Sequence, residues 1–177
     1  MNSRGRLWIL WAIGMVSTIA VYAVWLGPLE TILRAGGHGI VDLELAWTPA
    51  RFDAITSDWG ARGVRAAREQ VWWDFLWIPS YALTIWASLK LAGSARLAVW
   101  AVPVAGACDV VENIALLRGL HDTSAGLVVP VTSLIATIKF ALLAFALVVL
   151  IWAIISRLRR RSHPAKVSSR DAGSPSG

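Results

Sequence analysis

Asp109, Glu112 and Asn113 stand at i, i+3 and i+4 within one apolar stretch, and Lys139 stands near the middle of the next. On a helix the first three share a face. Two carboxylates beside an ammonium suit proton transfer, ion pairing or cation binding. Their setting makes them unusual, because an ionisable side chain at the centre of a membrane-length helix costs about 2.5–3.5 kcal/mol on insertion scales. Such groups pair or face a polar cavity. Asp74, at the start of a third apolar stretch, adds another carboxylate.

The elements that must position them follow from hydropathy. The chain has 177 residues, of which 56% are hydrophobic. Four stretches approach or exceed the roughly 20 apolar residues that cross a bilayer as a helix: 7–29, 71–89, 97–117 and 125–155. The expected fold class is therefore all-α, a polytopic membrane protein with a four-transmembrane-helix bundle over 1–161. An extracytoplasmic insertion at 30–70 separates the first two spans. The tail from 162 to 177 is polar, rich in Ser and Gly, and reads as a disordered cytoplasmic segment.

Basic residues set the orientation. Arg4, Arg6, Lys90, Arg96, Arg157, Arg159, Arg160, Arg161, Lys166 and Arg170 fall on one side with Asp171, whereas basic and acidic residues balance on the other. The positive-inside rule then puts both termini in the cytoplasm, in the plasma (inner) membrane. The pI near 10.4 reflects this asymmetry, and no nucleic-acid partner is expected. The Arg cluster after the fourth span suits anionic lipid. A cleaved signal peptide competes for the N-terminus, with Val21-Tyr22-Ala23 as its cleavage site, but the apolar run is longer than a signal core. Cys108 is the single cysteine, which excludes an internal disulfide.

Most of the eleven tryptophans read as interfacial anchors. Trp8, Trp11, Trp86, Trp100 and Trp152 fall at cytoplasmic ends, and Trp25, Trp72 and Trp73 at outer ends. Trp77 lies deeper and, with Tyr81, is a candidate to line a pocket. Within the insertion, Gly36-Gly37-His38-Gly39 breaks the helix. Residues 40–47 alternate, which predicts an extended segment or short strand. Thr48-Pro49 predicts a helix start, and Phe52, Ile55 and Trp59 form an apolar stripe suited to the membrane interface. A cap over the outer helix ends and a solvated spacer loop are both open readings of the insertion.

At 1.5 Å per residue, Asp109 lies about 13 Å and Glu112 about 9 Å from the outer end of their span, and Lys139 about 20 Å. The lean of helical side chains toward the N-terminus brings the Lys139 ammonium back toward Asp109. Three carboxylates and one ammonium do not balance. Either a second cation (Arg65, Arg68 or His38) reaches in, or one carboxyl keeps its proton, with Asp109 and Glu112 titrating together. Metal binding by His38, His121 and the acids is disfavoured, since no two histidines share a helix at ligand spacing and Lys139 competes. No metal and no cofactor is expected. Pro79, Pro103 and Pro130 interrupt three spans and free carbonyls that would line a cavity or simply mark kinks.

The strings LELAWTPARFDAITSDWG, WWDFLWIPSY and AGACDVVENIALL together resemble a group of bacterial four-span membrane proteins. Their shared pattern is an L-E-x-A-x-T segment, an aspartate opening span two and D-x-x-E-N in span three. The resemblance covers about residues 43 to 118. It marks Glu44, Thr48, Trp59, Gly60, Asp74, Asp109, Glu112 and Asn113, and implies architecture without a reaction.

Three functions are compatible with these features. The first is an enzyme acting on a lipophilic, isoprenoid- or sterol-like substrate, with Asp109, Glu112, Lys139 and Asp74 as catalytic groups and Asn113, Trp77, Tyr81 and Glu44 contacting substrate. The second is a proton- or cation-coupled transport or binding subunit, which four spans would require to act as a homo-oligomer or with a partner. The third is an accessory protein whose polar residues fix helix register. Intramembrane polar contacts contribute only about 0.6 kcal/mol on average, less than four insertion costs, which favours a functional site over interhelical glue.

Overall fold

The computed structural model describes residues 2–121 and 126–162, and every element among them is helical. Helix α1 (Ser3–Val21) passes through a π turn (Tyr22–Leu26) into α2 (Gly27–Ala35). A short α3 (Ile40–Glu44) precedes α4 (Pro49–Ala92), α5 (Arg96–His121) and α6 (Val128–Ser162). Ser162, the expected start of the disordered tail, ends α6; the rest of that tail lies outside the described residues.

Among the described residues, three stretches are long and apolar enough to cross a membrane: 3–35, 96–121 and 128–159. Only 11% of the most apolar window of the first and of the third is buried in protein. Their outward faces, with Ile13, Val16 and Ile19 on α1 and Leu147, Val148 and Trp152 on α6, are continuous hydrocarbon that water would not tolerate. The protein is membrane-embedded. The segment at 71–89 falls short of the others because Asp74, Pro79, Ser80, Tyr81, Thr84 and four tryptophans dilute it. It is instead the most enclosed part of α4, packed between α1 and α5.

Several local expectations change. The first helix does not stop at Leu29. Pro28 has no N–H for the carbonyl four residues back, and the chain accommodates it with one wide turn, in which the Gly27 N–H bonds the Tyr22 carbonyl. An Arg34–Glu30 ion pair at i, i+4 (2.8 Å) then carries the helix on. Residues 40–44 are a helix turn and not a strand. Its orphan N–H groups are met by carboxylates: Asp42 Oδ2 accepts from the Gly39 N–H (2.7 Å) and Glu30 Oε2 from the Ile40 N–H (3.1 Å). The stripe of Phe52, Ile55 and Trp59 is buried in protein and does not lie on a membrane surface. It packs with Leu33, Leu43, Leu116 and Leu120 in one apolar cluster. The insertion is thus a folded cap, not a solvated spacer.

Thr48 begins α4, its hydroxyl accepting from the Arg51 N–H at 3.2 Å, with Pro49 in the first turn. Gly60, at φ 58° and ψ −171°, kinks α4 between 49–59 and 61–92, a conformation open to glycine and costly for other residues. Thr48→Ala should lower stability by about 1 kcal/mol, read as an earlier thermal transition of the purified protein. Pro130 sits in the first turn of α6, where a missing N–H costs nothing. Pro79 and Pro103 are exposed inside α4 and α5.

The tryptophans divide. Trp8, Trp72, Trp100 and Trp152 are more than half exposed, as anchors should be. Trp11 donates to Ser88 Oγ (3.0 Å), and Trp25 stacks on Trp73 with ring centres 4.2 Å apart. These three fasten helix to helix.

Candidate functional site

Four helices bring their polar residues to one place. Helix α5 presents Asp109, Glu112 and Asn113 on its buried face, α6 presents Lys139, and α3 delivers Glu44. The Lys139 ammonium lies 3.0 Å from Asp109 Oδ1, 2.8 Å from Glu112 Oε2 and 3.2 Å from Glu44 Oε2. The Lys139 and Asp109 side chains are each 5% exposed, that of Glu112 is fully buried and that of Glu44 is 10% exposed. Tyr81 Oη donates to Asp109 Oδ2 at 2.7 Å, so both Asp109 oxygens are held by donors. One turn along α5, Asn113 Nδ2 donates to Asp74 Oδ2 at 2.7 Å.

Among the described residues, Lys139 is the cation of this cluster. His38 Nε2 instead pairs with Asp58 Oδ2 (3.3 Å), Arg68 donates to the Leu120 carbonyl, and Arg65 is exposed. Three carboxyls therefore share one ammonium. Glu112 Oε1 has no hydrogen-bond partner among the described residues. Glu44 belongs to the cap and not to a span; burial pushes its carboxyl above the usual carboxylate range, Lys139 opposes that shift and Asp109 adds to it.

The cluster forms one wall of a cavity of about 660 Å³, well within the 300–1,000 Å³ range of small-molecule sites. Most of the lining is apolar. Helix α1 and the π turn contribute Met15, Thr18, Tyr22 and Leu26, and α6 contributes Phe140 and Leu143. Both α1 and α6 pack on α4, and the cavity is lined by all three. Tyr22, half exposed, marks its open side.

Of the residues singled out from sequence, Asp74, Trp77, Tyr81, Asp109, Asn113, Lys139 and Glu44 all line this cavity. Glu112 does not line it, and stands behind Lys139. Trp77 donates its Nε1–H to the Thr18 carbonyl (3.2 Å) and packs against Tyr81, with ring centres 5.0 Å apart. Pro79 and Pro103 are away from the cavity. Sequence reasoning missed Glu30, Arg34 and Gln70, which close the cavity beside α3. Their signal was the i, i+4 spacing of Glu30 and Arg34, together with the i, i+4, i+7, i+11 run of Gln70, Asp74, Trp77 and Tyr81 down one face of α4. Among the described residues no group of three His, Cys, Asp or Glu side chains is placed to hold a metal ion.

The arrangement can exchange protons with a molecule in the cavity through Glu44 or Asp74, while the Lys139–Asp109–Tyr81 chain fixes their charge environment. No protein-family model, curated protein or solved structure matches this chain.

Proposed function

We propose that this protein is a four-span membrane enzyme that binds a lipophilic substrate, of isoprenoid- or sterol-like size, and acts on it by proton transfer. Its termini lie in the cytoplasm and the cap of α2, α3 and the start of α4 faces the outside of the plasma membrane. The observation that carries the reading is the meeting of a large, mostly apolar cavity with a wall formed by Glu44, Asp74, Asp109, Lys139 and Tyr81. Interhelical glue requires no such cavity.

Roles follow from the contacts. Glu44 faces the cavity, its carboxyl is raised above the usual range by burial, and it donates the proton. Asp109, with a donor on each oxygen, holds Lys139 and Tyr81 in place. Trp77 and Tyr81 offer π faces to positive charge that develops on the substrate. Glu112 acts from behind, through Lys139.

The test is the lipid profile of cells carrying Glu44→Gln or Asp109→Asn. Both variants should accumulate in the membrane and reproduce the lipid change caused by deleting the gene. Because Glu44 acts in its protonated form and its carboxyl is raised, activity in isolated membranes should fall as pH rises through that raised value. Lipid profiles identical to wild type in both variants, with deletion altering them, would defeat the enzyme reading. A proton-dependent solute flux in liposomes that survives unchanged lipids would replace it with transport.

A further inference from the structure

Gln70 is 6% exposed and lines the cavity. Its Nε2 donates to Glu30 Oε2 at 3.3 Å, and its Oε1 has no partner among the described residues. The amide orientation follows from the partners: Glu30 pairs with Arg34 and accepts from the Ile40 N–H, so the Gln70 nitrogen faces it and the oxygen faces away. One helical turn along the same face, Asp74 accepts on Oδ2 from Asn113, its side-chain donor among the described residues. A buried acceptor left unmet keeps its full desolvation cost until a donor reaches it.

The buried donors nearby are already engaged. Asn113 points at Asp74, Tyr81 at Asp109, Trp77 at the Thr18 carbonyl, and Lys139 at three carboxyls. Arg34 is paired with Glu30. This end of the cavity therefore has acceptors and negative charge in surplus, while the opposite end, toward Met15, Ile85 and Leu143, is apolar.

We propose that the cavity takes an amphiphile whose head group is a hydrogen-bond donor carrying positive charge, a primary amine, bound between Gln70 Oε1 and the Asp74 carboxylate with its apolar tail toward Leu143. This rests on the lipophilic-substrate reading above and specifies the substrate class. An ammonium satisfies both acceptors at once and offsets the excess of carboxyls over Lys139. A carboxylate head would meet like charge, and a hydroxyl would supply one proton where two acceptors wait.

The experiment uses the full-length protein in phosphatidylcholine nanodiscs, with empty nanodiscs as blank. Tritiated dodecylamine is the probe, displaced by unlabelled dodecylamine, dodecanol or dodecanoate. Dodecylamine should displace the label at a concentration about ten-fold lower than either competitor, the effect of one charge-assisted hydrogen bond. That ranking needs no variant. Asp74→Asn and, separately, Gln70→Leu should each weaken amine binding by about ten-fold and leave dodecanol displacement unchanged. Equal displacement by all three probes, unaltered by either substitution, overturns the head-group assignment and leaves the lipophilic cavity standing. No binding above empty nanodiscs by any probe overturns both.

Discussion

Lys139→Met should be the most damaging single substitution, lowering stability by about 3–5 kcal/mol. The methionine keeps the length of the side chain and removes its charge, leaving Glu44, Asp109 and Glu112 facing one another with side-chain exposures of 10%, 5% and 0%. Those carboxyls come from two helices, α3 and α5, and the lysine ties both to α6, so the loss is felt as separation of elements and not as a local shift. The protein in detergent should melt earlier and yield less monodisperse material. Adding Asp109→Asn to Lys139→Met should recover part of the loss, because one of the stranded charges is gone. A coupling of about 0.5–3 kcal/mol between the two sites is expected of residues in one charge network. A Lys139→Met protein that melts with the wild type would show that the cluster does not hold the bundle together.

The second large effect is expected at Gly14, where α1 crosses α4. A Cβ there would lie 2.7 Å from Thr84 Oγ1, 3.0 Å from the Thr84 nitrogen and 3.1 Å from the Ser80 carbonyl oxygen. The hydroxyl could rotate, but the two backbone atoms cannot. Small residues at membrane helix crossings allow this close approach, and packing supplies most of the association energy there. Gly14→Leu should therefore cost about 1–3 kcal/mol by overpacking, with Gly14→Ala intermediate. The Trp11–Ser88 and Trp77–Thr18 hydrogen bonds cross the same seam and would stretch with it. Thermal unfolding of the two variants checks the order. A Gly14→Leu protein as stable as wild type would mean that α1 is not seated on α4 as described.

What could be read from sequence was whatever depends on local pattern. The α5 spacing of Asp109, Glu112 and Asn113 and the depth of Lys139 follow from helical geometry alone, and those side chains meet. Thr48-Pro49 is a start signal that needs no tertiary context. The errors came where distant groups decide. Residues 40–44 alternate in polarity, yet Glu30, ten residues away, caps them as a helix. Phe52, Ile55 and Trp59 carry a helical stripe that is equally suited to lipid or to protein; Leu33 and Leu116, from remote segments, settle it. That Glu112 stands behind Lys139 while Glu44 reaches the cavity depends on the turn that α3 makes, which no spacing rule contains.

Tyr22 lines the cavity and is half exposed, at the end of a helix whose outward face is hydrocarbon. A molecule leaving past Tyr22 passes into acyl chains and not into water. Its effective supply is then a mole fraction in the leaflet, so diluting the same membranes in more buffer should leave occupancy unaltered, whereas adding lipid should lower it.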